Sequence, residues 1–215
     1  RVVSIEDTQE LNLRHENWLP SVARQGVGMA SITGERHGEV TLFDLLKESL
    51  RQRPDYIIVG EVRGKEAYVL FQGMATGHPS FGTFHAEGVD TMIKRLETPP
   101  ISLSPSLIEA LDLACMVAPT KVKGKEVRRL MHITEVIKVG EGDDIILNVP
   151  FMRDPSTDRF LFKTDSKVFQ KIMQRTGMTW PELLREFEVR TRLLMEMYHR
   201  KIFGFKEVQD VISKY

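Results

Sequence analysis

Four consecutive residues, Tyr56 to Val59 ("YIIV"), constrain the fold more than any other stretch. They are apolar throughout, follow the Pro-broken "RQRPD" and end at Gly60 and Glu61. A strand with one wet face alternates polar and apolar residues. An unbroken apolar run marks a strand covered on both faces, as in parallel sheets flanked by helices. Parallel strands need long crossovers, and the flanking segments supply them. "TLFDLLKESLRQ" has apolar residues at 42, 43, 45, 46 and 50, a helical spacing. "KEAYVLFQGMATG" predicts a helix ending at Gly77, and "VDTMIKRLE" one stopped by Pro99 and Pro100. "SPSLIEALDLA" predicts another, with Ser104 as N-cap and Pro105 in its first position. The strand-like runs "VVSI" and "SFGTFHA" complete an alternation that predicts a wound α/β domain with a largely parallel sheet.

After Ala114 the pattern changes. "ACMVAPTKV", "VRRLMHITEVIKV" and "DIILNVPFM" read as consecutive antiparallel strands joined by "KGKE" and "GEGDD", with "DPSTDRF" as a turn. From Ser166 the chain reads as helical. Thr179 and Glu182 form a capping-box pattern around Pro181, opening a long helix through Met197, and Phe205 to Tyr215 reads as one more. The expected division is a core over residues 1–150 and a helical subdomain over 151–215.

At 215 residues and 41% hydrophobic, the chain has room for one sizeable core or a core with a small appendage. Thirty basic and thirty acidic residues give zero net charge, which argues against a global basic field for nucleic acid. Lys121 to Arg129 holds five basic residues and one Glu, read as a solvated hairpin with a docking patch as the alternative. The single cysteine, Cys115, excludes an internal disulfide framework and a Cys-rich zinc site. Its apolar neighbours predict a buried, inert thiol. No apolar run approaches the ~18 residues of a membrane span, and no signal-peptide pattern opens the chain. The expectation is a cytosolic protein. A strand at the first residues, led by Arg rather than Met, suggests a piece whose upstream part lies outside these residues.

Ligands of wound sheets bind beyond the carboxyl ends of the strands. There the sequence places Glu6 and Asp7, then Gly60, Glu61 and Arg63, then Thr83 and His85. Singly, these are ordinary caps, solvated turns or a structural histidine; together they favour an active site. The set suits phosphoryl transfer to water, which needs a metal on the phosphates, a carboxylate for metal or water, and cations for the developing charge. Glu61 would take the metal side, Arg63 and Arg51 would supply guanidinium forks, and His85 a hydrogen bond to a terminal phosphate. A metalloprotease fits poorly: there is no H-E-x-x-H, and Pro79 lies between His78 and His85. The phosphate-cradling G-x-x-x-x-G-K-[ST] does not occur in the 215 residues.

Three blocks, "SIEDTQEL", "LLKESLRQRPDYIIVGEVRGKEA" and "ATGHPSFGTFHAEGVDTMIKRL", resemble in order the acidic box, atypical Walker B and histidine box of the type II/type IV secretion ATPase superfamily. The wording "RQRPDYIIVGEVRG" looks most like the archaeal branch, which serves secretion-like systems, adhesive pili and the archaellum. The resemblance covers roughly residues 1–140; the C-terminal helices match nothing. It implies a RecA-like P-loop NTPase domain, a homohexameric ring at the cytoplasmic face of the membrane, and ATP hydrolysis with magnesium (Mg). It also implies a polytopic membrane platform protein and, indirectly, pilin-like subunits as partners, without nucleic acid. Residue by residue, Glu6 matches the acidic-box glutamate that polarises the attacking water. Glu61 matches the Walker B glutamate on the magnesium side, and His85 the second histidine of the histidine box. His78 falls in the Thr-Gly-His part of that box; with Asp7 and Thr83 it is an expected nucleotide contact. Arg51 and Arg63 match Walker B arginines acting in the same or a neighbouring subunit. Arg14 and Arg24 are candidates for contacts between subunits. The family's Walker A loop precedes the acidic box, so truncation is the simplest account of its absence. The four-cysteine zinc element of bacterial relatives is missing too, which argues against the bacterial type II branch.

Three readings follow: a secretion or pilus motor ATPase, a non-catalytic assembly module of such a machine, and a RecA-like DNA motor. Zero net charge and the lack of a basic-aromatic stripe weigh against the last.

Overall fold

The computed structural model describes residues 1–29, 36–140, 144–163 and 165–215. The chain divides into two units, Arg1–Asp165 and Ser166–Tyr215.

In the first unit, β1 (Val2–Glu6) and β3 (Tyr56–Val59) run side by side and parallel, Val2 level with Tyr56 and Ile5 with Val59. β2 (Trp18–Val22) pairs with the other side of β1, and β4 (Ser80–Gly82) with the other side of β3, giving the all-parallel order β2-β1-β3-β4. Val3, Ile5, Ile57 and Val59 are buried against Leu42 and Leu46 of α1 (Leu42–Ser49), Leu70 of α2 (Glu66–Ala75), Leu96 of α3 (Val89–Glu97) and Ile108. α1 starts with a full capping box. The Thr41 hydroxyl accepts from the Asp44 N–H at 3.2 Å, and the Asp44 carboxylate accepts from the Thr41 N–H at 3.0 Å. α2 is followed by a left-handed Gly77, φ 93°, which ends the helix where the sequence predicts.

Several expectations need correction. "YIIV" is not covered on both faces: Ile57 and Val59 are buried and Ile58 half-buried, but Tyr56 is 47% exposed. Its neighbour β4 is a three-residue edge strand, and the Phe81 ring stacks on Tyr56, centroids 6.3 Å apart. The predicted "SFGTFHA" strand therefore stops at Gly82. "WLPSV" forms β2 despite Pro20, which an edge strand tolerates because one side of its backbone is unpaired. The helix foreseen from Pro105 is a single turn, α4 (Pro105–Ile108), and Ser104 makes no side-chain cap bond.

The second sheet is the expected antiparallel meander: β5 (Leu113–Val122), β6 (Lys125–Val139), β7 (Ile145–Asp154) and an unforeseen β8 (Arg159–Phe162). β5 and β6 are joined by Lys123 and Gly124, both with positive φ (48° and 77°), the geometry of a tight I′ hairpin. Lys121, Lys123, Lys125 and Arg128 are exposed around it. Cys115 is exposed rather than buried, because burial alternates along β5 and it shares the outward set with Leu113 and Val117.

The expected boundary at residue 150 falls inside β7, and the chain's contacts divide at Asp165/Ser166 instead. The second unit contains α5 (Lys167–Thr176), α6 (Trp180–His199) and α7 (Phe205–Ile212). The Glu182 carboxylate accepts from the Thr179 N–H at 2.8 Å and from its hydroxyl at 2.7 Å, at the start of α6. The fold class is α/β: a parallel wound sheet, an antiparallel extension and C-terminal helices.

A candidate active site at the carboxyl rim of the parallel sheet

Parallel register brings three strand ends level. Ile5 is opposite Val59, and Val59 opposite Gly82, so Glu6, Gly60 and Thr83 emerge on one rim. The Gly60 N–H donates to the Ile5 carbonyl at 2.8 Å, and the Val62 N–H to the Thr83 carbonyl at 2.9 Å, which extends the pairing past the strands.

Glu6 is only 3% exposed. Its Oε1 accepts from the backbone N–H groups of Glu10 and Leu11 at 3.0 and 3.1 Å. Its Oε2 is buried with no hydrogen-bond partner. A buried carboxylate oxygen without a donor costs free energy, and such groups concentrate where a ligand or water completes them. Gly60 makes room for this carboxylate: a Cβ there would lie 3.0 Å from Glu6 Cγ.

Glu61 stands one residue further along the rim. Its Oε2 accepts from the Arg63 guanidinium, and its Oε1 lies 3.4 Å from His85 Nε2. Arg63 also reaches Asp7 at 4.0 Å. The hydrogen bond from Arg63 holds the Glu61 carboxyl below the usual carboxylate range, with His85 adding to the effect, and the same bond pushes the Arg63 guanidinium up. The structure thus brings Glu6, Asp7, Glu61, Arg63, Thr83 and His85 to one rim. The Thr83 hydroxyl donates to the Gly60 carbonyl, so it fastens the rim rather than projecting from it.

Two expected residues are elsewhere. Arg51 lies in the 3-10 turn Leu50–Gln52 before β3, paired with Glu48 at 3.3 Å. His78 precedes β4, its Nδ1 3.2 Å from the Thr76 hydroxyl. Both stand at the amino end of the sheet, about 10 Å or more from the rim at a strand rise of about 3.3 Å per residue. Within one chain neither joins the Glu61–Arg63–His85 group. Arg24 is tied down: its backbone pairs with Val40, and its Nε donates to the Gly38 carbonyl at 2.8 Å. Arg14 is exposed in the connection from β1 to β2.

One residue was missed. Glu66, the first residue of α2, is buried, and its Oε1 accepts from the N–H groups of Arg63 and Gly64 at 2.6 and 2.7 Å. The sequence places Glu66 near the start of the predicted helix in "KEAYVLFQGMATG", and nothing in the neighbouring residues signals that its side chain turns back onto the backbone before it.

Among the described residues no three His, Cys, Asp or Glu side chains cluster to hold a metal ion alone. Magnesium keeps several waters and binds through one or two carboxylates plus substrate phosphates. Glu61, with Asp7 near Arg63, fits an ion delivered with a nucleotide and not an autonomous metal centre. A crevice between the end of α5 and the start of α6, lined by Thr176, Met178, Glu182, Arg185 and Val189, includes none of the candidate residues.

The family described as "Type II/IV secretion system protein" matches residues 1–118, more than half of the chain. An uncharacterized protein of Methanocaldococcus jannaschii is 40% identical over 216 residues, a match spanning all of this chain and 77% of the relative. The chain belongs to the type II/IV secretion system protein family. A second M. jannaschii protein is 38% identical across 99% of this chain, which spans 38% of that relative. VirB11 of Agrobacterium fabrum is 36% identical over 98 residues, 45% of this chain and 26% of VirB11. Among solved structures, the VirB11 ATPase of the Brucella suis type IV secretion system has a TM-score of 0.48 at 25% identity, covering 62% of this chain and 39% of that one.

Proposed function

We propose that the chain is the catalytic part of an ATP-hydrolysing motor subunit of an archaeal type II/IV secretion or pilus-like machine. One observation carries this reading: a buried glutamate with an unpartnered oxygen, Glu6, stands on the same rim as the Glu61–Arg63–His85 group. Bound magnesium would neutralise phosphate charge, with Glu61 as its protein-side anchor. Glu6, held by the Glu10 and Leu11 amides, is placed to accept a hydrogen bond from the attacking water through Oε2. Arg63, 64% exposed at its side chain, can exchange its carboxylate partners for phosphate oxygens. His85, exposed beside it, can donate to a terminal phosphate. The reading requires a phosphate-cradling loop, and residues 1–215 hold no G-x-x-x-x-G-K-[ST] match.

No helix among the described residues is long and apolar enough to cross a membrane. We place the protein at the cytoplasmic face of the membrane, as a homohexamer acting on a polytopic platform protein and so on pilin-like subunits. Arg51, at the far end of the sheet, then serves a neighbouring subunit's site.

A second reading is a non-catalytic assembly module of such a machine. It is favoured by the engagement of both Glu61 oxygens, by Arg63 and by His85. Turnover by the full-length protein separates the two. On the first reading Glu61→Gln abolishes ATP hydrolysis while calorimetry still detects nucleotide binding; full activity in that variant overturns the assigned role of Glu61.

A further inference from the structure

Arg63 projects from a four-residue link, residues 62–65, between the end of the Gly60–Glu61 segment and α2. On a link that short the backbone conformation sets the direction in which the Arg63 side chain leaves the chain, and Glu61 and Asp7 then hold its guanidinium. That backbone is fastened at two places. The Val62 N–H bonds to the Thr83 carbonyl at 2.9 Å. The N–H groups of Arg63 and Gly64 both bond to one oxygen, Oε1 of Glu66. Gly64 passes close to the same carboxylate, since a Cβ there would lie 3.3 Å from Glu66 Oε2. Glu66 itself is buried in the first turn of α2, whose Ala67, Val69 and Leu70 sit in the core. A rigid, core-anchored carboxylate therefore holds the main chain of the residue whose guanidinium bridges Glu61 and Asp7.

We propose that Glu66 is the positioning residue of the rim: it aims Arg63, and its removal disables the site through Arg63 alone. The proposal rests on the hydrolytic reading above for its kinetic consequence and on the backbone geometry for its structural one. A plain structural role for Glu66, as an acid at a helix start, predicts lost stability without specific coupling to Arg63. Carboxylate acceptors bind N–H groups more strongly than neutral ones. Glu66→Gln keeps an acceptor oxygen in place and Glu66→Ala removes it.

Two measurements on the full-length protein decide the matter. In hydrogen–deuterium exchange, peptides covering residues 60–66 should exchange faster in Glu66→Ala, with Glu66→Gln close to wild type. Unchanged exchange in Glu66→Ala overturns the proposal whatever the enzyme does. In ATPase assays, Glu66→Ala should lower kcat roughly 10- to 100-fold, with KM for ATP within about twofold and Glu66→Gln restoring most of the rate. The double variant Arg63→Ala/Glu66→Ala should be no slower than Arg63→Ala alone, because a group acting only through Arg63 has nothing left to position. Additive losses in the double variant overturn it. If the wild-type protein shows no turnover, the hydrolytic reading fails, and the exchange result still decides whether Glu66 holds the Arg63 backbone.

Discussion

At Gly60 a missing side chain matters as much as a present one. Glu6 Cγ occupies the volume a Cβ would need, at 3.0 Å, and Glu6 is pinned from its other side by the Glu10 and Leu11 amides. The Gly60→Ala substitution must displace that carboxylate or the strand. Overpacking of this kind costs about 1–3 kcal/mol, so the variant should show a lower urea midpoint at unchanged m-value. Asp154 gives a residue-scale prediction with a pH sign. The Thr157 hydroxyl, with the Ser156 hydroxyl and N–H, pulls its pKa down to about 2. A depressed folded-state pKa means its stabilising contribution is complete above the unfolded value of 3.8 and is lost as pH falls from there through about 2. The stability gap between wild type and Asp154→Asn should therefore be constant from pH 5 to 7 and shrink between pH 4 and 2 in urea titrations. A gap that widens on acidification would contradict this assignment.

At the scale of elements, success followed local information. α3 and the hairpin turn at Lys123–Gly124 were legible because Pro99, Pro100 and Gly124 act on their own backbone. β2 and β8 were not legible. "WLPSV" holds a proline and "RFLF" is exposed throughout, so each is a strand only because a neighbour offers a ladder. The capping box of α1 is a local device and testable as one. Thr41→Ala removes the acceptor for the Asp44 N–H and should cost about 1 kcal/mol, read as a lowered melting temperature. No change there would mean that packing of Leu42 and Leu46 alone sets the helix start.

For the molecule as a whole, the two units carry different amounts of core. The first buries a continuous apolar cluster over its parallel sheet. The second buries only Leu183 and Met197 among its apolar side chains. Deleting most of a buried Leu costs about 2–5 kcal/mol, a large share of what so small a unit can have. Leu183→Ala should therefore speed hydrogen exchange across α5 to α7, with β1 and β3 protected as before. Loss of protection in β1 and β3 as well would show that the units unfold together.

Sequence by itself determined the class of the fold, the rim of acids at the strand ends and the family. The fold class and the rim follow from patterns within a dozen residues, period and Gly and Pro punctuation, and the family from the order of three motifs across residues 4–96. Only the tertiary structure decided which charges meet. Parallel register put Glu6, Glu61 and His85 on one rim and sent Arg51 and His78 to the other end. It also buried one Glu6 oxygen without a partner and turned Glu66 back onto the Arg63 backbone. Those outcomes depend on distances between strands, and a distance between strands is not written in either strand's own residues.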